Sequence, residues 1–132
     1  MLNVVRENGK IVGFDISRKF WGTGHDGGEL LNSEGKMCCL GFYSLACGAS
    51  KDRIYGESYL SSVRADLPKK HIESTQWLAK ETNSKLFEAT NIEYLLAEVN
   101  DDTEKTYKTR SKKEARIKTI FAQNGITVNF VD

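Results

Sequence analysis

The residues with the clearest potential for chemistry form a glycine-rich segment near the start of the 132-residue chain, reading Gly-Thr-Gly-His-Asp-Gly-Gly from Gly22 to Gly28. Gly22, Gly24 and Gly27 match the spacing GxGxxG, which lets backbone N–H groups approach a pyrophosphate at a helix N-terminus. A dinucleotide-binding fold also needs a buried strand before the glycines and a helix after them. The run Arg-Lys-Phe-Trp precedes them and a turn-rich stretch follows, so the sequence argues against that fold.

A smaller anion site is still compatible with this segment. Four glycines in seven residues predict a loop, and consecutive N–H groups in a loop can form a concave nest for a phosphate. Nearby basic side chains would neutralise the charge of that phosphate. The candidate ligand-binding residues are Arg18, Lys19, Gly22, Gly24, His25, Gly27, Gly28 and Lys36. A surface loop without a ligand is the simpler interpretation of the same composition.

Two adjacent cysteines, Cys38 and Cys39, stand where a predicted helix begins. A helix N-terminus lowers the pKa of a thiol, so either residue could serve as a nucleophile with His25 as its base. The favoured interpretation is that both pack in the core with Cys47 as reduced thiols. The absence of a CxxC pair and the wide separation of His25 from His71 argue against a zinc site. No metal and no cofactor are expected.

Charge is unevenly distributed along a chain whose net charge is only +1. Residues 88–104 contain six acids and no base, whereas residues 105–118 contain seven bases and a single acid, Glu114. The basic segment could follow a phosphate backbone, with Tyr107 available to stack on a base. The candidate partner or nucleic-acid surface is Lys105, Lys108, Arg110, Lys112, Lys113 and Arg116. A solvated helix face is the favoured interpretation, because the preceding acids could cancel its field.

Local patterns predict the elements that must position these residues. Residues 3–16 are predicted to form a β-hairpin around Asn8-Gly9, a dipeptide that suits a type I′ turn. Alternating apolar residues from Ile126 to Phe130 predict a final strand that closes onto this hairpin. Residues 49–71 are expected to be mainly loop, with one turn around Tyr59 to Arg64. Helices are predicted from Cys39 to a stop at Gly48, from Ile72 to Glu81, from Ile92 to Val99 behind an Asn91 N-cap, and from a Ser111–Glu114 capping box to Gly125.

These elements predict a single α+β domain over residues 1–132, with a small, mainly antiparallel sheet packed with three to four short helices. No repeat or linker argues for a second domain. No stretch approaches the roughly 20 apolar residues of a membrane span, and the first residues lack the pattern of a signal peptide. A cytoplasmic protein that does not associate with membranes is therefore expected.

The segment Gly-Glu-Leu-Leu-Asn-Ser-Glu-Gly-Lys-Met-Cys-Cys-Leu-Gly, from Gly28 to Gly41, resembles a pattern in small uncharacterised proteins of tailed bacteriophages and prophages. Leu67-Pro68, Trp77, residues 95–102 and the closing residues 125–131 are similar to the same family's order of features. The likeness spans about four-fifths of the chain, and the N-terminal hairpin departs from it. The resemblance implies a phage-encoded protein that acts in a bacterial cytoplasm, and it implies no established activity.

Small accessory phage proteins commonly bind and block a host component. We therefore expect an accessory protein that inhibits or modulates a host factor, in keeping with a role in antiviral defence, by binding either a host protein or a small phosphorylated signalling molecule. A hydrolase or transferase with a cysteine nucleophile is one alternative, and nucleic-acid binding through residues 105–118 is another. A homodimer is compatible with the sequence.

Overall fold

The structure is a computed structural model that describes residues 2–82 and 90–132. Its strands are β1 (Val4–Glu7), β2 (Lys10–Ser17) and β3 (Thr127–Val131), and its α-helices are α1 (Cys39–Ala46), α2 (Lys51–Ile54), α3 (Lys69–Ile72), α4 (Ile92–Asp101) and α5 (Arg110–Ala122). Short 3-10 segments occupy Gly24–Asp26, Leu60–Ser62, Arg64–Asp66 and Glu73–Ala79. The predicted α+β class is confirmed. None of the helices in the described ranges has the length and apolar character that a bilayer span requires.

The N-terminal hairpin is confirmed. Strand β1 pairs antiparallel with β2, with Glu7 opposite Lys10 across the turn. Asn8 and Gly9 both have positive φ, 53° and 80°, as a type I′ turn requires of its two central residues. Asparagine and glycine tolerate this conformation better than other residues do, so the turn is determined locally.

The sheet has the order β1-β2-β3 and is mixed, where the sequence predicted a mainly antiparallel sheet. Strand β3 closes onto β2 as expected, but it lies parallel to β2, with Phe14 beside Val128. Alternation along a strand carries no information about direction. The direction comes from α5, which packs on β3 and returns the chain through a tight turn at residues 123–126.

Helix α1 is the central buried element, and its predicted bounds are confirmed. Gly48 follows it with φ of 96°, the left-handed conformation that ends a helix. Gly41 faces the backbone of the preceding segment so closely that a Cβ there would overlap the carbonyl oxygen of Leu30. The core beside α1 is an aromatic cluster with ring centroids 5.1–5.7 Å apart, formed by Phe14, Tyr43, Trp77 and Phe121.

The other helices match the predictions in part. Asn91 caps α4 as predicted, since its side chain accepts a hydrogen bond of 2.9 Å from the Tyr94 N–H. The predicted capping box of α5 is wrong: Thr109 is the N-cap and accepts from the Lys112 N–H at 3.2 Å. Glu114, the expected partner in that box, instead forms an ion pair elsewhere. Threonine caps helices as serine does, so local sequence did not discriminate between them.

Two further segments differ from expectation. The helix predicted from Ile72 to Glu81 is a 3-10 segment, Glu73–Ala79, which continues directly from α3. Leu78 is buried in it, while Trp77 is half-buried. Residues 49–71 contain the expected turn, as a 3-10 turn at Leu60–Ser62, but also α2, a second 3-10 turn and most of α3, where loop was expected.

Candidate functional site

The glycine-rich loop, residues 22–28, lies against the C-terminal end of α4 and is held there by Asn100. The buried Asn100 Oδ1 accepts hydrogen bonds from the Trp21 indole N–H (2.7 Å) and from the Cys39 N–H (3.0 Å). Its Nδ2 donates to the carbonyl oxygen of Gly22 at 2.8 Å. One side-chain amide thereby joins the loop, the start of α1 and the end of α4.

Most of the N–H groups of this loop that an anion would need are already used. Gly22 N–H donates to the Met37 carbonyl oxygen (2.8 Å), and Gly27 N–H donates to that of Gly24 (3.1 Å). Gly28 N–H donates to the carboxylate of Asp101 at 2.9 Å, so an internal anion occupies the place where a phosphate nest would hold its ligand. A Cβ at Gly27 would overlap this same carboxylate. Close packing explains this glycine without any ligand.

Lys113, which the sequence assigned to a partner surface, is instead buried, with 2% of its surface exposed. Its Nζ donates to the Thr23 hydroxyl at 2.8 Å and to the carbonyl oxygens of Asn100 and Asp102. These carbonyls end α4, where a helix leaves acceptors unsatisfied and favours positive charge. Burial lowers the pKa of Lys113. The side chain is a structural cap that also holds the glycine-rich loop.

The other basic candidates lie at the surface. Lys105, Lys108, Arg110 and Lys112 are exposed, and Arg116 is half-buried. The acidic and basic segments do meet, because α4 packs on α5, although Glu88 of the acidic segment lies outside the described residues. Only tertiary structure could distinguish the buried lysine from its neighbours, since all belong to one charged run.

We expect Lys113→Met to lower the free energy of unfolding by about 2 kcal/mol, because it removes a cation from a helix C-terminus and leaves buried carbonyl oxygens without a donor. Lys112→Met is the matched control: this neighbour is exposed, and its replacement should change stability by less than about 0.5 kcal/mol. Urea denaturation followed by circular dichroism measures both. Equal stability of the two variants would contradict the capping role.

A cleft of about 430 Å³ opens between the loop and α5. Its cations are Lys36, Arg110 and Lys113, and its acids are Asp26, Asp102 and Glu104. Lys36 pairs with Asp26 at 3.2 Å, and the Arg110 guanidinium lies 5.0 Å from the centre of the Trp21 ring. Because three cations face three acids in its lining, the cleft offers no net attraction for an anion.

Five of the eight predicted ligand residues do not line this cleft: Arg18, Lys19, Gly22, Gly27 and Gly28. Arg18 forms a bidentate ion pair with Glu114, at 2.9 and 3.0 Å, which commits its guanidinium to α5. Lys19 lies 5.5 Å from the centre of the Phe20 ring. His25, Gly24 and Lys36 line the cleft. The structure therefore brings only part of the predicted ligand-binding residues together there.

The three cysteines are buried and reduced. Burial raises the pKa of the Cys38 and Cys47 thiols to about 12, and it raises that of Cys39 well above its usual value. An activated nucleophile needs the opposite shift, and His25 is exposed on the loop. The geometry therefore favours packed core thiols. Within residues 2–82 and 90–132, no cluster of side chains suited to a metal ion occurs.

We expect the native thiols to react with iodoacetamide at pH 8 more than about tenfold slower than the same thiols in denaturant, because each is both buried and protonated. Fast labelling of Cys38 in the folded chain would contradict its burial.

The raised pKa values of the three thiols also make the stability of the protein depend on pH. A thiol whose pKa is raised on folding contributes stability that is complete below its unfolded pKa and is lost as pH rises from that value towards the folded pKa. Stability should therefore fall above about pH 9.

An apolar groove of about 650 Å³, which sequence reasoning missed, shares no residue with the glycine-rich loop. Phe20 and Tyr55 are 49% and 56% exposed on it, and Leu2 is 37% exposed. These are three of the five large apolar side chains that are exposed in the described part of the chain. The apolar residues of the groove are Leu2, Phe20, Leu31, Met37, Phe42, Leu45 and Tyr55. Their positions follow no helical or strand period, so no local signal groups them.

Two lysines lie at or beside this groove. Lys51 lines it, and Lys19 stands beside Phe20. Neither lysine has an ion pair with any residue that the structure describes. The one acid that lines the groove, Asp132, accepts a hydrogen bond from the Ser17 hydroxyl at 3.2 Å. The groove thus combines an apolar centre with one lysine and one aspartate in its lining and a second lysine beside it.

No protein-family model matches this chain, and no curated protein or solved structure is significantly similar to it. What the chain does must follow from its own side chains and surfaces.

Proposed function

We propose that this protein works by stoichiometric binding, and that a partner protein places apolar side chains flanked by carboxylates in the apolar groove. The observation that carries the proposal is the convergence of Phe20, Tyr55 and Leu2 on one concave surface. Exposed apolar side chains that are scattered singly need no explanation, but a contiguous group rimmed by polar residues marks an interaction site.

The energetics of such an interface suit these residues. Aromatic side chains dominate binding energy at protein interfaces, and full burial of a phenylalanine contributes about 1.5–3 kcal/mol. Lys19 and Lys51, which lack ion pairs within the described ranges, would attract acidic residues of the partner and suppress basic ones. The partner chemistry is therefore an apolar segment with acidic neighbours.

The charge balance of the cleft beside the glycine-rich loop supports a protein partner over a phosphorylated ligand at that loop. The buried thiols support binding over nucleophilic catalysis. The resemblance to small phage proteins supports a component of a bacterial cell as the partner, bound and inhibited in the host cytoplasm. In this proposal the protein acts on a host factor, in keeping with antiviral defence, and catalyses no reaction.

The experiment compares wild-type protein with Phe20→Glu and Tyr55→Glu as baits in bacterial lysate, followed by calorimetric titration of the recovered protein after its purification. Each glutamate places a negative charge in the groove, where it disfavours both apolar contact and acidic neighbours. We expect a 1:1 complex with wild type and at least about a tenfold loss of affinity in each variant. Rising salt should also weaken binding, because Lys19 and Lys51 are exposed.

Val5→Glu is the matched control. Val5 is 52% exposed on β1 and does not line the groove, so its replacement should leave the affinity unchanged. The proposal fails if the groove variants bind as tightly as wild type, if Val5→Glu is equally impaired, or if wild type retains no protein at micromolar concentration. Binding that strengthens with salt would contradict the acidic character of the partner.

A further inference from the structure

A second cavity, which shares no residue with the apolar groove, opens where the hairpin turn, the 3-10 segment Glu73–Ala79 and the connection between α5 and β3 meet. Its volume is about 360 Å³, which lies within the range of about 300–1,000 Å³ that small-molecule sites occupy. Neither the glycine-rich loop nor the basic segment 105–118 contributes to it.

One wall of this cavity is a fixed aromatic ring. Trp77 is half-buried, and its indole N–H donates to the Tyr43 hydroxyl (3.1 Å) and to the Ser74 carbonyl oxygen (2.9 Å). The ring also packs against Phe121, with centroids 5.2 Å apart. With its N–H satisfied inside the protein and its edge held by the core, the indole offers the cavity a rigid hydrocarbon surface. Buried Ile126 extends this apolar wall.

The cavity also gathers positive charge from separate parts of the chain. Lys10 begins β2 and Lys70 lies on α3, and both line the cavity. Lys80 adds a third cation, since its Nζ lies 3.4 Å from the side-chain oxygen of the cavity residue Asn124. Within the described residues none of the three has an ion pair. Glu73 is the single acid in the lining, so the cations prevail.

We propose that this cavity binds a small molecule that combines a flat aromatic ring with an anionic group, such as a nucleotide or another aryl anion. The ring packs on Trp77, and the anion lies between Lys10 and Lys70. An apolar wall with a few convergent charges is the usual composition of a small-molecule site. The rigid indole limits the entropy that ordering the site would cost. This site is independent of the partner-binding groove.

The test follows the indole N–H signals of the full-length protein by nitrogen–proton correlation NMR. The chain has two tryptophans, and Trp21 is a built-in reference because its indole N–H is bound to Asn100 in the core. The probes are 1-naphthyl phosphate, adenosine monophosphate, 1-naphthoate, uncharged 1-naphthol and inorganic phosphate. We expect the aryl anions to shift the Trp77 signal and leave the Trp21 signal in place.

Variants that remove one positive or one negative charge from the cavity lining test how charge affects the affinity for the anion. Lys70→Gln should weaken binding of 1-naphthyl phosphate about fivefold, and Glu73→Gln should strengthen it by a similar factor, as expected for single charges at an exposed site. Lys69→Gln is the matched control, because this exposed neighbour on α3 does not line the cavity. Glu73→Gln keeps a similar shape and removes only charge, so loss of folding does not confuse the result.

The proposal is overturned if no probe shifts the Trp77 signal, if 1-naphthol binds as tightly as 1-naphthyl phosphate, or if Glu73→Gln fails to strengthen binding. Inorganic phosphate that binds as well as the aryl anions would contradict the role of the indole ring. If Lys70→Gln weakens binding of 1-naphthyl phosphate and Lys69→Gln does not, the result supports the assignment of the anion to this cavity.

Discussion

Asn100→Ala is expected to lower the free energy of unfolding by about 4 kcal/mol, because it leaves three buried backbone or indole groups without partners at roughly 1–3 kcal/mol each. These groups are the Trp21 indole N–H, the Cys39 N–H and the Gly22 carbonyl oxygen. Entry of a water molecule into the space would recover part of the loss. Urea denaturation followed by tryptophan fluorescence measures the change, and the Trp21 environment should change with it.

Asn129→Ala is the control for this experiment, since Asn129 is exposed on β3 and its replacement should cost less than about 0.5 kcal/mol. Asn91→Ala provides an intermediate case, because loss of an N-cap typically costs about 1 kcal/mol. The expected order of destabilisation is therefore Asn100, then Asn91, then Asn129. An Asn100→Ala protein no less stable than Asn91→Ala would show that the loop does not depend on this side chain.

Gly41→Ala is expected to destabilise the protein by at least about 3 kcal/mol, as steric overlap in a packed core does. Gly→Ala in a helix interior usually stabilises a protein, because alanine is favoured over glycine there by about 1 kcal/mol. The change in stability expected for Gly41→Ala has the opposite sign. The added Cβ would overlap the carbonyl oxygen of Leu30, a backbone atom in the core. Neither α1 nor the Leu30 segment can move without disturbing its own packing, because both Leu30 and Leu40 are fully buried.

Ala115→Gly is the complementary control. Ala115 is exposed on α5, where glycine should cost about 1 kcal/mol from helix propensity alone. Thermal and urea unfolding of both variants compare the two effects in one protein. If Gly41→Ala were as stable as wild type, the close approach of α1 to residue 30 would be wrong.

Several elements could be predicted because their signals lie within a few residues of one another. Asn8-Gly9 determines the hairpin turn through two positive φ values, and Gly48 ends α1 in the same way. Asn91 caps α4 through a bond to a residue three positions away. Interactions of this range depend on the local chain alone, so sequence reasoning recovers them.

Less of the candidate sites could be predicted, because their residues come from distant positions. The cavity beside Trp77 joins Lys10 to Lys70 and Asn124, and the groove joins Phe20 to Tyr55. The glycine-rich loop was identified correctly as a loop, yet its amides are used by Met37 and Asp101. A sequence pattern shows which groups a segment carries, but it does not show which partner already satisfies them.

The sequence by itself determined the α+β class, the hairpin and the start and end of the central helix, since turn chemistry, capping and periodicity act over a few residues. Only the tertiary structure decided that β3 lies parallel to β2 and that Lys113 is buried among exposed lysines. Strand direction depends on how α5 returns the chain, and burial depends on carbonyl oxygens at the end of a different helix. Both are contacts between segments that are separate in sequence, and a charged run looks the same whether or not one of its members finds such a partner.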